Sequence, residues 1–425
     1  MWKKIATGVG TVLAVVVLVL VSAALVYRQE LTNLHAMVQM FKPENLTHTF
    51  QNTYRIQPAR AIPATGSVFE FDRAEAPLPA AFVSGERELD LAQFLDERAT
   101  MGLLVIQNDV ILHESYQRGS SDQSLFASNS MGKSFVSALA GIALSEGKIR
   151  SFDDNVADYV AELKGSEWDG VTIRQVATMS SGMKFNENYA DPASDVAKMS
   201  LKMAFGTPLI EYLPSLVRER PAGEYNDYKS VNSEVLGLVV ERAIGGQLSG
   251  YMAEKLWGPI GAEREAHWLV EASEASGHRE LAMGGLSVHL RDYARFGRLY
   301  LHGGNWNGEQ IIPAHYVAES TTVQGPHLAP GYDNPGSSSF SGYGYQWWIP
   351  LGSQGDFQAQ GIYGQFIYVD PATETVIVTT RADTGYYDPG RQSLLDSTAM
   401  FRAIAAHYAH YAQDRPGSMA ARLSE

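Results

Sequence analysis

The residues most able to do chemistry in this chain lie in the segment FASNSMGKSF, residues 126–135, where Ser130 stands three positions before Lys133. Because that spacing places two side chains on one face of a helix, the lysine can reach the serine hydroxyl. A serine hydroxyl becomes a good nucleophile when a neighbouring base takes its proton, and a lysine can do so only in its neutral form. The pattern predicts a serine nucleophile with a lysine base. A helix cap beside a solvated lysine is the alternative.

A second Ser-x-x-Lys, from Ser181 to Lys184, shows that the pattern alone is weak. Gly182 follows Ser181 directly and predicts the end of a helix, so no rigid helix would hold Lys184 beside the serine. Ser130 instead opens a long segment with apolar residues at helical spacing, and a helix N-terminus favours developing negative charge. The context therefore favours Ser130.

A tyrosine suited to proton transfer lies in YNDYKSVNSEVLG, residues 225–237, where Tyr228 precedes an apolar helix. We predict that Tyr228 relays a proton between the nucleophile, its base and the leaving group. A tyrosine that only hydrogen-bonds a backbone carbonyl is the alternative. Ser230 and Asn232 form a Ser-x-Asn pattern in the same segment, so the sequence leaves open which hydroxyl faces the nucleophile.

Strands at both ends of the chain must position these residues. The segment GLLVIQNDVILHESY, residues 102–116, predicts a β-hairpin, and strand-like runs return at 343–350, 365–371 and 375–381. The middle of the chain is mostly helical in pattern, and a last helix is expected near residues 391–411. This order predicts one sheet built from both ends of the domain, with a helical region beside it.

The composition of the chain excludes several classes of function. Its 425 residues carry a net charge of -14 and contain no stretch dense in Lys and Arg, which argues against binding of nucleic acid. It has no cysteine, so a thiolate nucleophile and a zinc-thiolate site are excluded. The Gly-x-Ser-x-Gly and His-Glu-x-x-His motifs are also absent. We expect neither a cofactor nor a metal.

The N-terminus predicts attachment to a membrane. From Ile5 to Tyr27 the chain has 23 residues without a charge, and about 20 suffice to cross a bilayer as a helix. Lys3 and Lys4 precede this run and favour a cytoplasmic N-terminus. We therefore expect a membrane-anchored protein whose catalytic domain is extracytoplasmic, on the periplasmic side in a Gram-negative cell. Small residues at 21–24 leave a cleaved signal peptide as the alternative.

Five blocks of sequence together resemble the serine β-lactamase-fold hydrolases. They are SNSMGKSFVSALAGIALSEGKI, VTIRQVATMSSGMKF, YKSVNSEVLGLVVERA, GGLSVHLRDYARFGRLYLHGG and YGYQWW. Their order and spacing are most similar to the 6-aminohexanoate-dimer hydrolase branch, which stands beside class C β-lactamases and related esterases. The resemblance implies an α/β (α+β) fold of the serine β-lactamase/transpeptidase type, with a central antiparallel sheet flanked by helices and a helical subdomain. It implies that Ser130 is acylated, that Lys133 is its base and that Tyr228 relays the proton.

The chain departs from this family at one motif. Most β-lactam-binding members carry Lys-Thr-Gly or His-Thr-Gly on a strand that faces the serine, and neither tripeptide occurs here. Residues 359–361, Ala-Gln-Gly, stand in the matching stretch, so the cation that would bind a β-lactam carboxylate is missing. A strand there can still supply the backbone N–H of Ile362, which would form an oxyanion hole with the N–H of Ser130. The resemblance further implies that Ser230, Gly361 and Tyr363 contact the substrate.

These observations predict a membrane-anchored serine hydrolase that cleaves a small-molecule amide or ester through an acyl-enzyme. A β-lactamase or D,D-carboxypeptidase is one alternative, and a catalytically silent binding protein of the cell envelope is another. The oligomeric state is not specified by the sequence. The expected organisation is a transmembrane anchor or signal segment at 1–28, a tether and N-terminal extension at 29–85, the hydrolase domain at 86–412 and a tail at 413–425.

Overall fold

The computed structural model describes residues 39–189, 191–331, 341–386, 388 and 392–413, together with residues 17, 22, 28 and 32. The expected transmembrane helix lies outside the described residues apart from single positions, and the expected C-terminal tail lies outside them beyond residue 413. Among the residues that are described, no helix combines the length and the apolar character needed to cross a membrane.

Strands are concentrated towards the two ends of the described chain, with helices between them. The strands, numbered along the chain, are β1 Ala59–Ile62, β2 Asp72–Arg73, β3 Ala81–Ser84, β4 Arg87–Asp90, β5 Thr100–Gln107, β6 Val110–Tyr116, β7 Leu125–Ala127, β8 Ala266–Leu269, β9 Leu286–His289, β10 Asn305–Trp306, β11 Glu309–Gln310, β12 Ser341–Tyr343, β13 Trp348–Pro350, β14 Phe357–Gly361, β15 Gln365–Asp370 and β16 Thr375–Arg381. The α-helices are α1 Leu46–Ile56, α2 Leu91–Glu97, α3 Lys133–Ser145, α4 Ile173–Ala177, α5 Asp195–Ala204, α6 Leu209–Tyr212, α7 Ser230–Ile244, α8 Leu248–Met252, α9 Leu290–Leu301, α10 Ala314–Ser320 and α11 Ser393–Gln413.

The main sheet is built from both ends of the chain, as the sequence predicts. Within the described residues it has eight strands in the order β12-β13-β14-β15-β16-β5-β6-β2. Neighbouring strands of this sheet are antiparallel, except that β2 runs parallel to β6. The late strand β16 pairs along its length with the early strand β5, and this pairing joins the two ends of the domain. A second, antiparallel sheet has the order β1-β8-β9-β7.

Both faces of the main sheet are covered, which explains why its central strands are continuously apolar. Every residue of β5 is buried, and side chains alternate between the two faces of a strand. Leu103 and Val105 pack in a cluster with Phe401 of α11. Leu104 and Ile106 belong to the larger cluster that includes residues of α9. The sheet is therefore held between α9 and α11, as expected for strands without a polar face.

The predicted hairpin forms where the sequence places it. Its turn contains Asn108 and Asp109, which have φ angles of 50° and 61°. Asn and Asp tolerate this left-handed conformation, and two such residues in succession match the twist of the flanking strands.

One strand prediction is wrong. The run at 343–350 is not a single strand, because β12 ends at Tyr343 and β13 begins only at Trp348. Between them Gln346 has a φ of 62°. Its side chain donates to the carbonyl of Ala177 and accepts from the hydroxyl of Ser233 at 2.6 Å. The chain bends here because these buried polar contacts to α4 and α7 replace strand pairing.

Candidate active site

Ser130 lies in a turn immediately before α3 and not within that helix. The residues Asn129–Gly132 form a 3-10 turn, and the α-helix begins at Lys133. The prediction that Ser130 opens the α-helix itself is thus wrong by one turn. The turn is fixed by Ser128, whose hydroxyl donates to the carbonyl of Asn129 at 2.9 Å and accepts the N–H of Leu286 at 3.2 Å. The Ser130 side chain remains partly exposed.

Lys133 reaches Ser130 from the first turn of α3. Its Nζ lies 2.9 Å from the Oγ of Ser130 and also donates to the carbonyl of Met283. The side chain is buried, with 1% of the residue exposed. Burial disfavours the ammonium form and lowers the pKa of Lys133 to about 8, although the carboxylates of Glu187 and Glu234 raise it in part. About a tenth of Lys133 is therefore neutral at pH 7, and this fraction grows as the pH rises.

Tyr228 completes the group, two residues before α7 begins at Ser230. The Nζ of Lys133 lies 5.2 Å from the centroid of the Tyr228 ring. The ring of Trp348 stacks on that of Tyr228 at a centroid distance of 5.2 Å. Burial raises the pKa of the Tyr228 phenol well above its usual value, and a hydrogen bond with the side chain of Ser130 offsets part of the rise. The phenol is therefore protonated at neutral pH and can donate a proton.

Ser230 is held by a carboxylate. Its hydroxyl donates to Glu187, and its backbone N–H donates to the other oxygen of the same carboxylate at 3.0 Å. The neighbouring Lys229 lies 2.8 Å from the carboxylate of Asp227. Of the two hydroxyls that the sequence left open, the structure thus places that of Tyr228 beside Ser130, while Ser230 binds Glu187.

The turn between β14 and β15 lies against the nucleophile turn. A Cβ added at Gly361 would lie 2.4 Å from the carbonyl oxygen of Ser128, so only glycine permits this approach. Ile362, which follows, is held through its carbonyl by the side-chain amide of Asn129 at 3.0 Å. Tyr363 has a φ of 63° and places its ring 5.4 Å from that of Phe50. The residues expected to supply the second oxyanion donor are thus adjacent to Ser130.

The second Ser-x-x-Lys lacks the geometry of the first. Ser181 is buried, with 1% exposed, whereas Lys184 is exposed. Gly182 between them has a φ of 73°, and α4 has already ended at Ala177. No helix holds this pair together, as the sequence predicts.

Two acidic side chains near the site, Glu187 and Glu234, were not predicted from the sequence. Glu187 and Glu234 are both electrostatically coupled to Lys133. Glu234 is buried and accepts the N–H of Met283 at 2.8 Å, the residue whose carbonyl binds Lys133. Trp348 is half-buried beside Tyr228, while the adjacent Trp347 is fully buried. No local pattern marks Glu187 or Glu234, because their roles depend on contacts between distant segments.

A known protein family matches most of the chain. The β-lactamase family matches residues 90–393. The chain belongs to this family. It is a serine hydrolase with the β-lactamase fold.

The chain is similar to 6-aminohexanoate-dimer hydrolases and to β-lactamases. The chain is 33% identical over 298 residues to a 6-aminohexanoate-dimer hydrolase of Paenarthrobacter ureafaciens, which covers 68% of this chain and 74% of that protein. A solved structure from Bacillus anthracis, assigned as a 6-aminohexanoate-dimer hydrolase, has a TM-score of 0.76 and 26% identity, covering 87% of this chain and 96% of the other. A class C β-lactamase from Rhodobacter sphaeroides has a TM-score of 0.52 and 15% identity over 74% of this chain and 97% of its own, a likeness of fold alone.

Proposed function

We propose that this family member hydrolyses a small amide or ester through an acyl-enzyme on Ser130. The observation that carries the proposal is the 2.9 Å contact between Nζ of the buried Lys133 and Oγ of Ser130. A nucleophile within hydrogen-bonding distance of a base is the arrangement that activates a serine. The relationship to 6-aminohexanoate-dimer hydrolases supports an amide as the substrate class.

The proton steps follow from the protonation states of the three side chains. Neutral Lys133 takes the proton of the Ser130 hydroxyl as Oγ attacks the substrate carbonyl carbon. Tyr228, which is protonated, then gives its proton to the departing amine or alcohol as the carbon–leaving group bond breaks, and the Lys133 ammonium returns a proton to Tyr228. In the second half of the reaction, water attacks the acyl-enzyme and the same groups transfer its proton to Ser130.

The negative charge of the tetrahedral intermediate needs hydrogen-bond donors. We assign this role to the backbone N–H groups of Ser130 and Ile362. The assignment is supported by the close approach of Gly361 to the Ser128 carbonyl, which brings the β14–β15 turn beside the nucleophile turn. Each such donor contributes about 3 to 4 kcal/mol to the stabilisation of the transition state.

The substrate that we propose is uncharged near the scissile bond. The strand beside Ser130 carries Ala359, Gln360 and Gly361 where β-lactam-binding relatives have a cationic motif. A β-lactam is the second candidate, because a β-lactamase of Providencia stuartii is 31% identical over 139 residues, a third of each chain. The missing cation makes that substrate a poorer fit.

Hydrolysis assays can separate these two candidates. We expect turnover of p-nitrophenyl esters and p-nitroanilides by the wild-type protein, loss of turnover in Ser130→Ala and Lys133→Ala, and no turnover of nitrocefin. Ser181→Ala is the matched control, since it removes the serine of the other Ser-x-x-Lys. Rapid nitrocefin hydrolysis that depends on Ser130 would favour the β-lactamase, and full activity in Ser130→Ala would refute the proposed mechanism.

We also propose that residues 5–27 anchor the protein in a membrane and place this domain on the extracytoplasmic side. The uncharged run of 23 residues after Lys3 and Lys4 supports this placement. Fractionation of cells that express the full chain, followed by protease treatment of intact spheroplasts, would test both parts. A protein that stays in the soluble cytoplasmic fraction would contradict them.

A further inference from the structure

The two proposed oxyanion donors come from distant parts of the chain and need a physical connection. Ser130 precedes α3, whereas Ile362 follows β14, in another part of the sequence. A donor contributes fully only when it is already aimed at the position of the oxyanion, without reorganisation during the reaction. Something must therefore hold the two turns in register.

The side chain of Asn129 makes that connection. Its Nδ2 donates to the carbonyl oxygen of Ile362 at 3.0 Å, across 233 positions of sequence. Asn129 precedes Ser130 in the chain. This one hydrogen bond therefore joins the neighbour of the nucleophile to Ile362, the proposed second donor residue. The same carbonyl also accepts the side-chain amide of Gln365 at 3.3 Å.

The backbone of Asn129 is adapted to this position. Its φ of 46° lies in the left-handed region, which asparagine tolerates better than most residues. The close approach of Gly361 leaves little room in the same place, since a Cβ there would lie 3.2 Å from the Cβ of Asn129. Conformation and contact together favour a short residue that carries an amide donor.

Gln365 holds the opposite side of the Ile362 carbonyl and is itself fixed. It is buried, and its amide also donates to the carbonyl of Arg381 at 2.7 Å. Its side-chain oxygen accepts the N–H of Arg381 at 3.3 Å. The carbonyl of Ile362, on the same residue as the proposed donor N–H, is therefore held between the end of β16 and the nucleophile turn.

We infer that Asn129 is a positioning residue that holds the Ile362 backbone in register with Ser130 and so pre-organises the oxyanion hole. The inference rests on the proposed function, because it presumes that Ser130 attacks the substrate. Asn129 acts through Ile362 and takes no part in proton transfer, since Lys133 contacts Ser130 and Met283 instead.

Substitution by glycine separates the amide of Asn129 from its backbone conformation. Asn129→Gly keeps the left-handed turn but removes the hydrogen bond, and Asn129→Asp keeps the shape but replaces the donor with an acceptor. The matched control is Asn108→Gly, which changes a second left-handed asparagine, in the β5–β6 turn. The β5–β6 turn lies next to the first residue of β16, Thr375, which pairs with Gln107. Gln365 instead contacts the last residue of β16, Arg381, at the opposite end of the strand.

The variants should be compared by turnover of p-nitrophenyl acetate and by the rate of labelling with a fluorophosphonate, which forms a tetrahedral adduct. We expect both Asn129 variants to lose about 10-fold to 100-fold in kcat and in labelling rate, somewhat less than the loss of a whole oxyanion donor. In Asn129→Gly, KM and the pH at which activity begins should stay unchanged, because this variant alters neither ground-state binding nor the charge around Lys133. Asn108→Gly should behave as wild type.

The remaining outcomes distinguish the two levels of the hypothesis. Wild-type rates in Asn129→Gly and Asn129→Asp, with Ser130→Ala inactive, would overturn the inference alone. If activity falls only in proportion to the folded fraction seen by circular dichroism, Asn129 is structural and the inference is also overturned. Full labelling and activity in Ser130→Ala would overturn the proposed function and this inference with it.

Discussion

At the scale of single residues, the burial of Lys133 gives the site its chemistry. An exposed lysine has a pKa near 10.4, so it is almost entirely charged at neutral pH and cannot accept a proton. Lys133 is 1% exposed and its pKa is lowered to about 8. The acidic side chains of Glu187 and Glu234 oppose this lowering of the Lys133 pKa, although burial raises the pKa of Glu234 itself to about 8. The neutral form of Lys133 therefore increases as the pH rises towards and through 8.

We predict that kcat/KM for an ester or amide rises with pH and levels off above about pH 8. The protonated form of Lys133 is inactive as a base, so the rate should rise about 10-fold for each pH unit below this value. Tyr228 keeps its proton until well above pH 10, because burial raises its pKa. A pH–rate profile in buffers of constant ionic strength measures the pH at which kcat/KM levels off. Lys184→Gln is the control and should leave that pH unchanged. A rise in kcat/KM that levels off only near pH 10.5 would show that burial does not lower the pKa of Lys133.

The role of Tyr228 predicts a dependence on the leaving group. Tyr228→Phe removes the hydroxyl that would protonate the departing atom, and general acid catalysis typically contributes about 100-fold to 10,000-fold. We expect a loss of this size for an anilide, whose amine must be protonated as it leaves. A p-nitrophenyl ester should lose less, because p-nitrophenolate leaves without a proton. Equal losses for both substrates would indicate that Tyr228 acts on the nucleophile alone.

At the scale of elements, the turn after β14 is held against the turn before α3 by close packing. The contact depends on the absence of a side chain at Gly361, since a Cβ would lie 2.4 Å from the Ser128 carbonyl oxygen. Both elements are anchored elsewhere, β14 by pairing with β15 and α3 by its burial in the core. The relative position of nucleophile and strand is therefore a property of packing between elements.

Gly361→Ala should disturb the site and the stability together. We expect a loss of about 1 to 3 kcal/mol in the free energy of unfolding, typical of overpacking, and a lower kcat because the β14–β15 turn must move. Urea denaturation and steady-state kinetics measure the two effects. Gly250→Ala in α8 is the matched control: no atom lies within 4 Å of its added Cβ, so the helix should be equally or more stable. If Gly361→Ala matched this control, the close approach would have no consequence.

Elements made from continuous apolar runs could be predicted from the sequence. The run 375–381 is the strand β16, and 365–371 matches β15 to within one residue. The run 343–350 could not be predicted correctly, because the bend at Gln346 follows from hydrogen bonds to Ala177 and Ser233. These partners lie more than 100 positions away, as the separations of 169 and 113 residues show. The 3-10 turn at Ser130 depends likewise on tertiary contacts.

At the scale of the whole molecule, the N-terminal extension is packed against the hydrolase domain. Strand β1 pairs with β8, and β2 adds to the main sheet beside β6. Phe50 of α1 is 2% exposed and its ring lies 5.4 Å from that of Tyr363, the residue that follows Ile362. The extension thus packs, through Phe50, against Tyr363 in the turn that we assign to the oxyanion hole.

Phe50→Ala should therefore weaken the fold. Removal of a buried phenylalanine side chain typically costs about 3 to 5 kcal/mol of stability. Phe41→Ala is the control, because Phe41 stacks on the same tyrosine at 6.4 Å but is 46% exposed; it should cost less than about 1 kcal/mol. Chemical denaturation followed by tryptophan fluorescence gives both values. Equal and small losses would mean that the extension contributes little to the stability of the domain.

The candidate site could be predicted from the sequence only in part. Ser130, Lys133 and Tyr228 belong to short motifs whose spacing is visible in one segment each. Glu234 is close to Tyr228 in sequence, but its link to Lys133 passes through Met283, 49 positions further along the chain. The contact of Asn129 with the β14–β15 turn spans 233 positions of sequence. Such contacts are products of the fold, and no local pattern encodes them.

The identity of the nucleophile is the central claim, and covalent labelling tests it most directly. The purified protein would be treated with a fluorophosphonate probe, and the modified peptide would be sequenced by mass spectrometry in the wild type, Ser130→Ala, Ser181→Ala and Tyr228→Phe. We predict that the label lies on Ser130, disappears in Ser130→Ala, is unchanged in Ser181→Ala and forms more slowly in Tyr228→Phe. A label on another serine, or none on the folded wild-type protein, would contradict the mechanism.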